Sequence, residues 1–163
     1  YCKDGIITDF KTFMTGEIFN SFAENTILSQ SIEYDNFNDE YETSFISGIE
    51  QIKNGRSLIN AAFKIRTNDL FKINSKKDNY HFLSGLLLGE ELLKIDLSKT
   101  KKIIVYANPQ LGKIYTMALK YLENNKEIIC VTEKKLAKSQ ALGQFKIYQQ
   151  SISEKSQLSN YEV

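Results

Sequence analysis

The spacing of apolar positions along this chain changes twice, and the changes mark out its elements. At the start, Tyr1-Cys2-Lys3 and Ile6-Ile7-Thr8-Asp9-Phe10 flank Asp4-Gly5. That dipeptide tolerates the positive φ of a type I′ turn, so the segment predicts a β-hairpin whose second strand runs on through Thr12-Phe13. Thr15 then stands as the N-cap of a helix from Gly16 to Glu24, its hydroxyl placed to take an orphan amide. Ile18, Phe19 and Phe22 give that helix an apolar face. Residues 29–38 are polar and read as a loop.

From Asp39 to Lys53 the period becomes helical, with Tyr41, Phe45, Ile46, Ile49 and Ile52 on one face. Asn54-Gly55 ends that helix. Arg56 to Arg66 predicts another, with Leu58, Ile59, Ala62, Phe63 and Ile65 apolar, and Asn79 to Leu93 a third that carries Gly85 and Gly89 on one face. The last third changes again. Ile103-Ile104-Val105-Tyr106-Ala107 is a continuous apolar run, as in a strand buried on both faces. Asn108-Pro109 breaks it before a helix from Gln110 to Asn124, with Leu111, Ile114, Tyr115, Ala118, Leu119 and Leu122 inward. Glu127 to Val131 predicts a second buried strand and Glu133 to Gln150 a closing helix, ahead of a polar tail at 151–163. Strand, helix, strand in this order implies a parallel pair joined by a right-handed crossover. The expected fold is α/β, with an antiparallel hairpin at its start and a parallel strand-helix-strand unit at its end.

Composition narrows the function classes. The 21 basic and 20 acidic side chains leave a net charge of +1, which favours neither nucleic acid nor an anionic membrane surface as partner. The longest apolar run, around Leu86-Leu87-Leu88, is broken by Gly89 and Glu90. It falls far short of the roughly 20 residues a membrane span needs. Residues 1–20 lack a cationic start before an apolar block, so no signal peptide is read. Cys2 and Cys130 have no metal-ligand spacing and are expected as free thiols in a reducing, cytoplasmic setting, with mutual pairing as the alternative. No Met opens the chain, and an upstream segment is expected.

Three places have the residue types for chemistry. Ligands of open α/β sheets bind beyond the carboxyl ends of strands, which directs attention to Ala107-Asn108. Asn tolerates a left-handed turn that would let backbone approach a ligand. On spacing alone the favoured reading is that Asn108-Pro109 is an ordinary strand-to-helix loop with Pro near the first helical position. Gly85 and Gly89 either allow close helix packing or open room for a flat ring. Thr15-Gly16-Glu17 combines a hydroxyl, bare backbone and a carboxylate at a helix start, where free amides favour phosphate. Glu17 would repel that phosphate unless Mg²⁺ intervened, and a merely capped acidic helix start is the other reading. His81, the one histidine, has no constellation around it and reads as structural. Glu90-Glu91 and Lys134-Lys135 read as solvated faces, and no metal motif or Gly-x-x-x-x-Gly-Lys-Ser/Thr loop occurs.

Residues 9–19, Asp-Phe-Lys-Thr-Phe-Met-Thr-Gly-Glu-Ile-Phe, resemble the F-x-T-x-M-T-G-E-L signature of the 2-dehydro-3-deoxygalactonokinases. Phe82-Leu83-Ser84-Gly85-Leu86-Leu87-Leu88-Gly89-Glu90-Glu91 is similar to the family's F-L-S-G-L-L-I-G-A-E. Shorter likenesses follow at Asn25-Thr26-Ile27-Leu28 (H-S-I/L-I/L, with Asn and Thr for His and Ser), Phe45 to Gly48 (F-x-x-G), Phe63 to Arg66 (F-x-V-R) and Ser139 to Gly143.

The resemblance implies a ribonuclease-H-like lobe of the actin-like ATPase fold, with ATP and Mg²⁺ as cofactors and a sugar acid as substrate. It implies that residues 1–150 are the C-terminal nucleotide-binding lobe, inactive without an N-terminal lobe that holds the catalytic residues. Thr15, Gly16, Glu17, Gly85, Gly89, Ala107 and Asn108 are then the candidate nucleotide and phosphate contacts. The family carries Gly and Thr where this chain has Asn108 and Pro109. A homodimer is a further expected partner state. The competing class is a non-catalytic α/β domain that binds a nucleotide or a partner protein.

Overall fold

The computed structural model of the protein describes residues 1–158. Strands β1 (Cys2–Lys3) and β2 (Ile6–Ile7) form the expected antiparallel hairpin, with Cys2 opposite Ile7 and Lys3 opposite Ile6. Asp4 (φ 51°) and Gly5 (φ 79°) supply its left-handed turn. The second strand stops at Ile7, and residues 8–14 are irregular rather than extending it through Phe13. An isolated two-stranded ribbon is marginal, and no third strand lies beside this one among the described residues.

Helices α1 (Thr15–Asn25), α2 (Glu42–Lys53), α3 (Leu58–Leu70) and α4 (Lys76–Leu93) make up the middle of the chain. The start of α4 is fixed by a capping box, in which Ser75 Oγ accepts from the Asp78 amide at 3.0 Å and Asp78 accepts from the Ser75 amide. The most extensive helix contact joins α2 to α4. It is made backbone to backbone. A Cβ on Gly48 would stand 2.8 Å from the Leu86 amide nitrogen, and one on Gly85 would stand 2.9 Å from the Phe45 carbonyl carbon. Gly89 faces Ile49 Cα, 3.2 Å from where its Cβ would lie. The small-residue spacing therefore serves helix packing, and α2 fills the room that an adenine ring would need beside Gly85 and Gly89.

This helix pair divides the core. On one side Leu28, Ala61, Ala62, Ile65 and Phe82 pack beneath α1 and α3; on the other Phe37, Phe45, Leu88, Val105 and Ile114 face the last third of the chain. The α3 face differs from expectation. Ile59 and Phe63 are 80% and 56% exposed, while Ala61, Ile65, Asn68 and Asp69 are buried. The supposed loop at 29–38 also contributes. A 3₁₀ turn at Ile27–Ser31, capped by Thr26, buries the Ser31 hydroxyl as a donor to Asp69 at 3.0 Å. Phe37 packs edge-on against Phe45 and His81.

Strands β3 (Lys102–Val105) and β4 (Glu127–Cys130) pair in parallel, with Val105 opposite Cys130, and α5 (Pro109–Leu122) connects them. The sheet has two strands, so Val105 is buried while Ile104 is half exposed, and burial on both faces does not occur. Along α5, Ile114, Ala118 and Leu119 are buried, but Leu111 in its first turn is 45% exposed. Helix α6 runs from Glu133 to Leu158, past Gln150 into the polar segment, and none of its described side chains is buried. The rest of the expected tail, 159–163, lies outside the described residues. The whole is an α/β fold of mostly helices with two small sheets. Among the described residues no helix is long and apolar enough to cross a membrane. Both cysteines are free and exposed.

Candidate functional site

Thr15 opens α1 rather than capping it. Met14 occupies the cap position without a side-chain hydrogen bond, so no side chain covers the amides of the first turn. The Thr15 hydroxyl instead donates to Glu91 of α4. Tyr115 of α5 donates to the same carboxylate, 3.0 Å from Oε1 and 3.1 Å from Oε2. Burial holds the Tyr115 pKa above its ordinary value, and the charge and hydrogen bonding of Glu91 raise it further. Three helices thus meet at one carboxylate. Gly16 and Glu17, the next two residues of α1, are exposed, and a Cβ on Gly16 would meet nothing within 4 Å.

Sequence reasoning passed over Glu91 as part of a solvated face. A signal for it was present. An acidic side chain in the last turn of a helix opposes the macrodipole, and α4 has no basic residue there to offset it. Such a carboxylate calls for donors, which it finds in Thr15 and Tyr115.

Asn108 does not adopt a left-handed turn. It is extended (φ −60°, ψ 162°), and its side-chain oxygen accepts from the Leu111 amide at 2.9 Å as the N-cap of α5. Pro109 follows at the first helical position. Ala107 is half-buried against the core. Seven residues separate Asn108 from Tyr115, an axial distance of about 10 Å on nearly the same helical stripe. The starts of α1 and α5, picked out separately in the sequence, therefore share one side of α5.

The neighbouring side of α5 lines a cleft of about 1210 Å³ against α2. It begins at Pro109 and Gly112, just beyond the carboxyl ends of β3 and β4, where α/β sheets bind ligands. Gly112 abuts the Cys130 thiol, since a Cβ there would lie 2.6 Å from Sγ. Ile46 and Met117 give the cleft apolar wall, and Glu42, Thr116 and Lys120 give it polar wall. The Thr116 hydroxyl is buried and has no partner. Lys113 pairs with Asp39 at 3.0 Å and Tyr121 donates to Glu50 at 2.8 Å, closing two sides. Neither this cleft nor a smaller hollow of about 530 Å³ beside Arg56, Ser57 and Lys94 is lined by any of the site residues expected from the sequence.

His81 is structural. It is 1% exposed and stacks on Tyr41 with ring centroids 4.3 Å apart. Neither ring nitrogen has a partner, and burial lowers its pKa to about 4. Among the described residues no group of three His, Cys, Asp or Glu side chains could hold a metal. Glu17 is a single exposed carboxylate.

Comparison with known proteins adds an independent line. A protein described as a 2-dehydro-3-deoxygalactonokinase from Rhizobium meliloti is 29% identical over 120 residues, which cover 71% of this chain and 39% of that protein. A crystal structure of a 2-dehydro-3-deoxygalactonokinase from Sinorhizobium meliloti superposes with a TM-score of 0.58 at 25% identity, over 80% of this chain and 42% of that one. A component of DNA topoisomerase 4 from Mycoplasma capricolum is 31% identical over 118 residues, but these are 16% of its length. The chain spans about two fifths of both kinase relatives. A family model described as 2-keto-3-deoxy-galactonokinase matches residues 1–139, and the chain belongs to that family.

Proposed function

We propose that this chain is the C-terminal, nucleotide-binding lobe of an ATP-dependent kinase acting on 2-dehydro-3-deoxy-galactonate, built as a ribonuclease-H-like lobe of the actin-like fold. The observation that carries the reading is the start of α1, uncapped by any side chain and open beyond Gly16. Free amides at a helix start, with the positive end of the macrodipole behind them, bind phosphate oxygens. Adenosine occupies the cleft between α2 and α5, entering past Pro109, with the Glu42 carboxylate and the Lys120 ammonium in its polar wall. Mg²⁺ arriving with the phosphates would supply neutralisation of their charge. Glu17 is the residue of this chain that would hold it.

Phosphoryl transfer depends on positioning and charge stabilisation between two surfaces. This chain supplies one of them: it orients nucleotide and fixes the phosphate chain. The sugar acid and its activating base belong to the other lobe.

The test is an assay of ADP release by the full-length protein across a panel of 2-keto-3-deoxy sugar acids, alongside the chain 1–163 alone. Full-length protein should turn over 2-dehydro-3-deoxy-galactonate, while the chain alone binds ATP weakly and turns over nothing. Binding of ATP by full-length protein with no ADP release from any acid would assign the chain to a non-catalytic nucleotide-binding module instead.

A further inference from the structure

We infer that Glu91 is a positioning residue for the phosphate chain of the nucleotide, an inference that rests on the reading of the α1 start given above. Its carboxylate is half-buried at the meeting point of α1, α4 and α5. The donors come from far apart in sequence, Thr15 at a separation of 76 residues and Tyr115 at 24. A surface ion pair would not be built this way. Charge-assisted hydrogen bonds from two hydroxyls are short, directional and stronger than neutral ones. Together they fix the first residue of α1 against α4 and the middle of α5.

The consequence is geometric. Thr15 immediately precedes Gly16, the residue whose open amide faces the phosphates. Tyr115 lies two turns along α5 from Asn108, whose cap orients the start of that helix beside the adenosine cleft. Glu91 is thus the one side chain among those described that ties the phosphate end of the site to the adenosine end. Its value to catalysis is the fixed distance between them, because a misplacement on the order of 1 Å can cost a hundredfold in rate. Glu91 touches neither substrate, so it acts through Thr15 and Tyr115 alone.

The experiment measures steady-state kinetics of the full-length enzyme with ATP and the sugar acid varied separately. The variants are Glu91→Ala, Glu91→Gln, Tyr115→Phe, Gly16→Val and Ser44→Ala. Ser44 is the control, since its hydroxyl bonds Asp78 at 2.8 Å within the α2–α4 pair, away from the site. Tyr115→Phe and Glu91→Ala should raise KM for ATP about tenfold, the size of one lost charge-assisted hydrogen bond. KM for the sugar acid should stay unchanged, and Glu91→Gln, which keeps an acceptor of the same shape, should recover most of the loss. Ser44→Ala should lose stability without moving either constant. Should Glu91→Ala fail to fold, Tyr115→Phe carries the same comparison.

Equal rises in both Michaelis constants, or none, for Tyr115→Phe and Glu91→Ala would overturn the inference. Gly16→Val separates its failure from that of the underlying reading. If Gly16→Val raises KM for ATP and the Glu91 and Tyr115 variants do not, the phosphate site stands and Glu91 is only structural. If Gly16→Val has no effect, the phosphates lie elsewhere and both fall.

Discussion

Replacing Gly85 with Ala adds one methyl group to the middle of α4, where helix propensity alone would favour it by about 1 kcal/mol. The packing opposes it. The new Cβ would lie 2.9 Å from the Phe45 carbonyl carbon, closer still to its oxygen, and 3.2 Å from Gly48 Cα. Carbon atoms prefer about 3.5–4.0 Å, so α2 and α4 must part by something on the order of 1 Å. No flexible side chain can yield, because the obstacles are all backbone. A gap of that width forfeits a quarter to a half of each dispersion contact it opens. Phe45, Ile49, Phe82 and Leu86, all at most 2% exposed, lie along the seam.

Overpacking of this kind costs about 1–3 kcal/mol in ordinary cores. A backbone obstacle belongs at the top of that range, so we expect a net loss of ~2 kcal/mol after the propensity gain is counted. That is a large share of the roughly 5–15 kcal/mol a domain commands. Urea unfolding followed by far-UV circular dichroism measures it, with the slope unchanged and the midpoint lowered. Gly16→Ala is the matched control, also in a helix but with nothing within 4 Å. It should be neutral or stabilising by up to ~1 kcal/mol. A Gly85→Ala protein within ~0.5 kcal/mol of the parent would refute the backbone-to-backbone seam.

Burial lowers the His81 pKa from 6.5 to about 4, so the unfolded chain gains a proton that the folded one refuses between those values. Stability should fall by up to ~3 kcal/mol as pH drops through that window; His81→Phe should flatten the slope, and a slope that survives the substitution places its source elsewhere. Gly16→Val should weaken ATP binding by isothermal titration while leaving the unfolding midpoint within ~0.5 kcal/mol of the parent; a collapse of both would make the α1 start structural. Asn108→Ala should cost ~1 kcal/mol as a lost cap, and Asn108→Gly only a few tenths. A loss in Asn108→Ala too small to measure would show that the side-chain bond to Leu111 contributes little.

What the sequence disclosed was local. Asp4-Gly5 marked its hairpin because a single dipeptide decides that turn, and α2 and α4 were visible because their apolar positions recur with the helical period. The errors came where a distant partner outbid a local rule. Thr15 looked like a cap, yet it is the first helical residue, and its hydroxyl is directed to a carboxylate 76 residues away. Ile104 sits in a run that reads as buried on both faces, but the two-stranded sheet leaves one face open. At Asn108 two local rules competed, tolerance of left-handed backbone and preference for the cap position, and the following Pro109 favoured the cap. The family likeness at residues 82–91 contained both the glycine seam and Glu91, without saying that they serve different ends.

Those ends lie on opposite faces of one helix. Gly89 and Glu91 are two residues apart, a rotation of about 200° around α4. One face takes the glycines into contact with α2, where at Gly48 and Gly85 backbone meets backbone and limits how close the helices come. The other carries the carboxylate to Thr15 and Tyr115. Because the first face leaves no freedom in how deep α4 sits, the position of Glu91 follows from it, and the start of α1 follows from Glu91. Stability and site geometry are therefore connected in one direction only. A methyl group at Gly85 must disturb both, whereas loss of the Tyr115 hydroxyl reaches the site and leaves the seam intact. This asymmetry explains why a helix whose buried face is dictated by packing can still carry, on its far side, the carboxylate that joins α1 to α5.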